Sequence, residues 1–285
     1  MKEKNGVIGR RGFLKTAAAS IAAASLPVEL ARAASFQTTS LRVWSCGGLA
    51  ESFCRANALY EQKKGIKIYY TGASAGALGK SLIAGRPTDV FGARTMGLTK
   101  KLQSENLVRY FKPLCFSEYV LITPKGNPAN IQSVADLAKP GVRLILPQSA
   151  SGPGQKGAQV ALEKAGIKDA AMKNLVKEES CVIRMIPAVV NADADATIVE
   201  RRLTRMPEFA GKVEIIAFPE ELFATVMLPF TINSIKYAED TELADDYINF
   251  MCSVEGQTYF KQGGFIPAIS EKGQELIERL GVKDV

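Results

Sequence analysis

Two cysteines flank a glycine pair in Trp44-Ser45-Cys46-Gly47-Gly48-Leu49-Ala50-Glu51-Ser52-Phe53-Cys54, directly after the apolar run Leu41 to Trp44. Such a stretch suits a metal site, a redox pair, a phosphate loop or a ligand-binding turn. None of the five cysteines, Cys46, Cys54, Cys115, Cys181 and Cys252, forms a C-x-x-C pair. The chain also has no histidine, which excludes histidine-containing zinc sites, haem attachment and Ser-His or Cys-His catalysis within it. This makes conventional nucleophilic catalysis unexpected and leaves thiol chemistry open; no cofactor, resident metal or enzymatic activity is otherwise expected. An odd cysteine count in an oxidising compartment leaves at least one thiol free or paired between chains.

Two further loops share the small-residue design of Ser45-Cys46-Gly47-Gly48. They are Gly72-Ala73-Ser74-Ala75-Gly76 and Ser149-Ala150-Ser151-Gly152-Pro153-Gly154, and each lies between a strand-like and a helix-like segment. Small residues there let backbone N–H groups and hydroxyls approach an anion, and the helix start adds favourable potential. Any α/β fold also needs small residues at its strand-to-helix turns, so one loop alone has a purely structural reading. Neither a Walker loop nor the dinucleotide fingerprint is present.

The elements that must position these loops alternate. Leu41–Trp44, Ile66–Tyr70 and Asp89–Gly92 read as strands, with helices over Ala50–Lys63, Ala77–Ala84 and Met96–Glu105. On the first helix Ala50, Phe53, Cys54, Ala58 and Leu59 fall near one face. An extended run covers Phe116–Thr123, then strands are expected over Arg143–Leu146, Ala194–Val199, Val213–Ala217 and Thr225–Ile232, and a helix over Gly157–Ala165. Thr241–Cys252 and Val254–Gln262 are helical. The alternation argues for an α/β architecture with largely parallel strands. No internal repeat is visible in the sequence.

The first 33 residues read as an export signal: a basic segment, Gly9-Arg10-Arg11-Gly12-Phe13-Leu14-Lys15, precedes a mild apolar stretch and the small-residue site Ala31-Arg32-Ala33. The arginine pair resembles the twin-arginine signal. The apolar core falls short of the ~20 strongly apolar residues that span a bilayer. Residues 1–33 carry six basic and two acidic side chains, so the net charge of +7 falls by four to +3 in the expected mature protein beginning near Ala34. That is too mild a charge, without basic residues interleaved with aromatics, to argue for nucleic acid. The remaining length suffices for one large or two modest domains.

In loop order and content the chain resembles the periplasmic molybdate-binding proteins, the solute receptors of ABC importers, and more widely the type II periplasmic binding fold. The segments that carry the resemblance are "LRVWSCGGLAESF", "GASAGALGKSLIAGRPTDVFGA", "VLITPKGNP", "DADATIVERRL" and "YFKQGGFIPA". It implies two α/β lobes, each a mixed, mostly parallel sheet flanked by helices, with lobe 1 over 34–116 plus 225–285 and lobe 2 over 117–224. It also implies a periplasmic location, an oxyanion ligand of the molybdate or tungstate kind, an ABC transporter permease as partner, and export by the twin-arginine machinery.

In that family the oxyanion is held between the lobes by serine hydroxyls, backbone N–H groups and a tyrosine hydroxyl. The resemblance places the first serine near Gly48, with Ser45 in the same loop, and the second at Ser74 or Ala75. Backbone donors fall near Gly154 and Val182, beside Ser151 and Cys181 of the opposite lobe, and Gly47 completes the first turn. The tyrosine falls at about Glu200, which would turn a carboxylate toward the ligand. An uncompensated carboxylate facing a dianion costs several kcal/mol, and Arg94, Arg184 and Arg201 are the candidates to supply compensating charge.

Cys46 and Cys181 are both expected to reach the cleft. A thiol at a helix start suits soft ligands, so a soft-metal or thiophilic-oxyanion delivery protein using Cys46 and Glu200, or a thiol-based redox protein, is the alternative reading. A disulfide across the cleft, or between Cys46 and Cys54, is its rival. Cys54, Cys115 and Cys252 have apolar surroundings in sequence and are expected to be buried as small hydrophobes.

Overall fold

The computed structural model describes residues 36–147, 153–179, 182–222 and 226–284. The expected export segment, 1–33, lies outside them, as do Ser151 and Cys181. The chain opens with a βα unit repeated three times: β1 (Ser40–Cys46), α1 (Ala50–Lys64), β2 (Lys67–Ala73), α2 (Ala75–Ile83), β3 (Val90–Ala93) and α3 (Met96–Ser104). A long strand, β4 (Val108–Pro124), is followed by β5 (Leu144–Leu146), α4 (Pro153–Lys164), α5 (Lys168–Lys173), β6 (Leu175–Glu178), α6 (Met185–Val190), β7 (Thr197–Glu200) and β8 (Val213–Ile216). The chain returns through β9 (Met227–Ile235) and ends with α7 (Thr241–Met251), α8 (Val254–Gln262), β10 (Ile266–Pro267) and α9 (Glu271–Leu280).

This is an α/β fold of mixed sheets flanked by helices. One sheet runs in the order β10-β4-β9-β3-β1-β2, with β7 and β8 also pairing with β4, and a second contains β5 and β6. The parallel strand pairs are β1–β2, β1–β3 and β5–β6, whereas every antiparallel pair involves β4 or β9. Seventeen residues let β4 pair with β9 up to Glu118 and with β7 and β8 from Tyr119 onward. The βα units supply the parallel part, and the strand that passes between the two halves supplies the antiparallel part.

Alternation fixes the faces of β1: Leu41 and Val43 are buried against α1, whose inward residues Phe53, Ala56, Asn57 and Tyr60 recur at helical spacing. Cys54, one step from Phe53, is turned about 100° away from it and is exposed, contrary to the expected burial. Gly65 ends α1 in the left-handed conformation, at φ 68°. The Tyr60 ring meets Tyr247 of α7 edge-on at 5.2 Å, and its hydroxyl donates to Asp246 at 2.8 Å.

The two halves repeat one clasp that the sequence does not display. At the start of β1, Arg42 N–H donates to Asp89 Oδ2 at 2.7 Å and its guanidinium reaches both Asp89 oxygens, while Asp89 N–H returns a bond to the Arg42 carbonyl. Before β5, Arg143 N–H donates to Asp195 Oδ2 at 2.7 Å, its guanidinium reaches both Asp195 oxygens, and Asp195 N–H donates to the Arg143 carbonyl. The strand contacts that follow match as well. Val43 faces Val90 in parallel, and Leu144 bridges Ala196 in parallel. β1, β3 and their clasp are therefore structurally equivalent to β5, β7 and theirs.

Candidate functional site

The carboxyl ends of the three parallel strands in the first half open onto a cavity of about 760 Å³, the place where open α/β sheets bind ligands. Its walls are Cys46, Gly47 and Gly48 after β1, Ala73 to Ala77 and Lys80 around the start of α2, and Arg94, Thr95 and Leu98 after β3. Three helical starts therefore converge on one space. β2 continues through Ala73 and α2 begins at Ala75, two residues earlier than its sequence suggests. The first-turn N–H groups of Ala75, Gly76 and Ala77 therefore belong to the helix end. The Ser74 side chain does not cap α2, whereas Thr95 accepts a bond from Leu98 N–H and caps α3.

Of the residues expected to bind, Cys46, Gly47, Gly48, Ser74, Ala75 and Arg94 come together in this wall. Ser45 does not. It is flanked in register by Gly72 on β2 and Gly92 on β3, and a Cβ at Gly92 would lie 2.9 Å from the Ser45 Cβ. The room left at Gly72 takes the Tyr70 hydroxyl, which shares a 2.6 Å hydrogen bond with Ser45 Oγ, and Ser45 is fully buried. Cys46 is 4 % exposed, and Cys46, Cys54, Cys115 and Cys252 are all free thiols, so the rival Cys46–Cys54 disulfide is not formed. Cys115 is buried, Cys252 partly so.

Glu200 does not face the cavity as a lone carboxylate. It ends β7, lies opposite Tyr119 of β4, and is 0 % exposed. Arg94 Nη2 donates to its Oε1 across the two halves. Arg202 Nε donates to Oε2 at 2.8 Å and Ser117 Oγ to the same oxygen at 3.1 Å. Burial raises the Glu200 carboxyl pKa, but the charges of Arg202 and Arg94 and the hydrogen bonds of Arg202 and Ser117 outweigh it, holding the group below its ordinary value. With both oxygens taken, Glu200 is not placed to ligate a soft metal beside Cys46. Among the described residues no group of three or more cysteines and carboxylates assembles to hold an ion.

The expected compensation thus comes partly from a different arginine. Arg94 takes the anticipated role, but Arg201 donates to Glu118 instead, and Arg184 is exposed at the start of α6. Arg202, passed over in the sequence, completes the pair. Its guanidinium lies 5.5 Å from the centre of the Phe265 ring. A Cβ added at Gly48 would sit 3.0 Å from Arg202 Nη2 and 3.7 Å from Cys46 Sγ, so the absence of a side chain at Gly48 is what admits this guanidinium. The one sequence signal for Arg202 is its place two residues after Glu200.

Behind Arg94, the Tyr119 ring packs on Gly157 of α4, where a Cβ would be 2.8 Å from Cε2. Its hydroxyl and Arg94 Nε are buried without a well-formed hydrogen bond. Burial first, then the Glu200 charge, raises the Tyr119 phenol pKa, which keeps it a hydrogen-bond donor. On the other half, Gly154 lies in the first turn of α4 and Val182 opens the short turn Val182–Arg184.

Comparison with known proteins places these features in context. The profile of the bacterial extracellular solute-binding protein family matches residues 41–266. The molybdate-binding protein ModA of Mycobacterium tuberculosis is 25% identical over 228 residues, covering 79% of this chain and 84% of its own. Among solved structures, iron-bound HitA from Pseudomonas aeruginosa superposes with a TM-score of 0.68 at 16% identity, over 81% of this chain and 86% of that one. The periplasmic molybdate-binding protein of Azotobacter vinelandii gives 0.61 at 18% identity, over 79% and 98%. One fold thus serves an iron-bound protein and a molybdate-binding one, so the ligand has to be argued from the site.

Proposed function

Because this chain belongs to the bacterial extracellular solute-binding protein family, a family of binding proteins and not of enzymes, we propose that it is an exported receptor. It captures a small oxyanion between two lobes and hands it to the permease of an ABC importer. The observation that carries this reading is the convergence of three helical starts and Arg94 on one cavity. The partial positive charge of each helix start and the guanidinium are all complementary to an anion, and none requires the ligand to react. We take 34–116 with 225–285 as lobe 1 and 117–224 as lobe 2, with β4 as the strand that crosses between them and the return crossing in the segment before β9. Cys46, Gly47, Gly48, Ser74, Ala75 and Arg94 then act from lobe 1, with Ser151, Gly154, Cys181 and Val182 assigned to lobe 2.

Closure supplies affinity and signal together, since only a ligand touching both lobes favours the closed state. The basic segment before residue 34 supports export by the twin-arginine route into the periplasm. The likeness to molybdate-binding proteins makes molybdate and tungstate the first oxyanions to test. A thermal-shift screen of residues 34–285 against tetrahedral oxyanions, carboxylates and soft metal ions checks the reading. A saturating anion at 100 times its Kd adds about 2.7 kcal/mol of stability, and Arg94→Ala removes that gain. Stabilisation by a soft metal alone, abolished by Cys46→Ser, would replace oxyanion capture with metal delivery.

A further inference from the structure

The charged groups around the cavity do not suit a doubly charged ligand. Arg94 is the residue that touches both the cavity and Glu200. Behind it are two guanidiniums, Arg94 and Arg202, and one carboxylate, Glu200, all largely withdrawn from solvent, with side-chain exposures of 19 %, 17 % and 0 %. The neighbouring Arg201 and Glu118 neutralise one another, and Lys80 on α2 is open to solvent. Among the described residues, the buried set therefore carries a net charge of one positive. A monoanion on Arg94 completes that balance, whereas a dianion brings a second charge into a desolvated site that already holds Glu200.

The size and lining of the cavity narrow the class further. At about 760 Å³ it lies within the ~300–1,000 Å³ of pockets that enclose organic ligands. The cavity is half open to solvent, so its walls leave room for a carbon body beside an anionic group. Its polar end is Arg94 with the helix starts, and Ala73, Ala75, Ala77 and Leu98 supply an apolar wall for a carbon body.

We propose that Glu200 sets the charge of the solute: by neutralising one of two guanidiniums it makes the site select a singly charged organic acid, its carboxylate on Arg94, over a doubly charged tetrahedral oxyanion. This rests on the reading of the cavity as the anion site of a solute receptor, and it replaces the tetrahedral oxyanion there with a carboxylate. Glu200 is a positioning residue here, because it reaches the ligand only through Arg94.

Charge and shape separate in one titration series followed by thermal shift and calorimetry on residues 34–285. The probes are acetate, pyruvate and benzoate, the singly charged tetrahedral perrhenate, and the doubly charged molybdate, tungstate and sulfate. The wild-type protein is expected to bind at least one carboxylate 10-fold or more tighter than any dianion, and perrhenate tighter than molybdate. Glu200→Gln is expected to move the dianion-to-monoanion ratio at least 10-fold toward dianions. The double variant Glu200→Gln with Arg202→Gln, whose buried charge equals that of the wild type, returns the ratio and serves if the single variant does not fold. If dianions win in the wild type, tetrahedral oxyanion capture stands and the charge rule falls; if carboxylates win but Glu200→Gln leaves the ratio unchanged, the cavity remains an anion site and Glu200 is not what sets its preference. If no anion of either class stabilises the wild-type protein, both fall.

Discussion

Arg94 and Glu200 stand at the same step of the two halves, each five residues past the aspartate of its clasp, Asp89 or Asp195, and they are ion-paired to one another. The repeated βα geometry aims both side chains at the facing half, and opposite charge turns what would be two separate strand ends into one joint. With Arg202 and Ser117 on the remaining carboxylate oxygen, the joint is fully hydrogen-bonded at Glu200, the condition under which a buried charge is tolerated.

Removing one partner of this joint strands the others. Arg94→Ala and Glu200→Ala are each expected to destabilise by about 3–5 kcal/mol, because each leaves buried charge uncompensated. The double variant Arg94→Ala with Glu200→Ala should cost less than the two summed, with a coupling of about 1–3 kcal/mol. Urea denaturation of the four proteins measures it. Strict additivity would mean that the two side chains do not interact in solution.

The joint is sensitive to acid, not to base. Glu200 has a folded-state pKa below its ordinary value near 4.5, so its contribution to stability is fully present above that ordinary value. It is lost as pH falls through the folded value. Melting temperatures of wild type and Glu200→Gln from pH 7 to pH 3 should differ by a constant amount down to about pH 5 and converge below it. A gap that stays constant down to pH 3 would show that folding does not lower the Glu200 pKa.

Gly48 is short of room on the Arg202 side. Gly48→Ser, which puts a hydroxyl where the resembled family carries one, pushes Cβ against Arg202 Nη2 and should cost about 1–3 kcal/mol as overpacking. In an Arg202→Ala background the same change should be nearly neutral. Thermal denaturation of the two pairs tests this, and equal costs in both backgrounds would remove Arg202 as the reason for the glycine.

Thiol accessibility gives a direct reading of the cysteine positions. Under native conditions Cys54 on the outer face of α1 is expected to be alkylated first and Cys115 last. Cys46 should be slow and slowed further, by 10-fold or more, at saturating ligand, because it lies in the cavity wall. Peptide mass spectrometry after timed alkylation resolves the order. Fast labelling of Cys46 that ligand does not change would take it out of the site.

Much of the arrangement is written in local chemistry. The alternation of apolar strands with helical periodicity, the small residues after the strands and the lack of histidine set an α/β fold, its strand-to-helix loops and the absence of histidine chemistry, while the binding role came from the family resemblance. Cys46 and Gly47 stood in the first of those loops, Gly48, Ser74 and Ala75 followed from the family resemblance, and Arg94 from the need for charge opposite Glu200. What needed the tertiary structure were relationships between segments far apart in the chain. The Arg42–Asp89 and Arg143–Asp195 clasps repeat with different loop lengths and little shared sequence, so no period shows. Ser45 was turned inward by glycines on two other strands, and Arg201 was claimed by Glu118 on a third. Glu200 read as a lone carboxylate until folding brought Arg94, more than 100 residues away, onto one oxygen and put Arg202 and Ser117 on the other. Side-chain type and local period determine which elements form. Which charges meet in the desolvated space between them depends on the packing of those elements, because an ion pair is set by distance in space and not by separation in sequence.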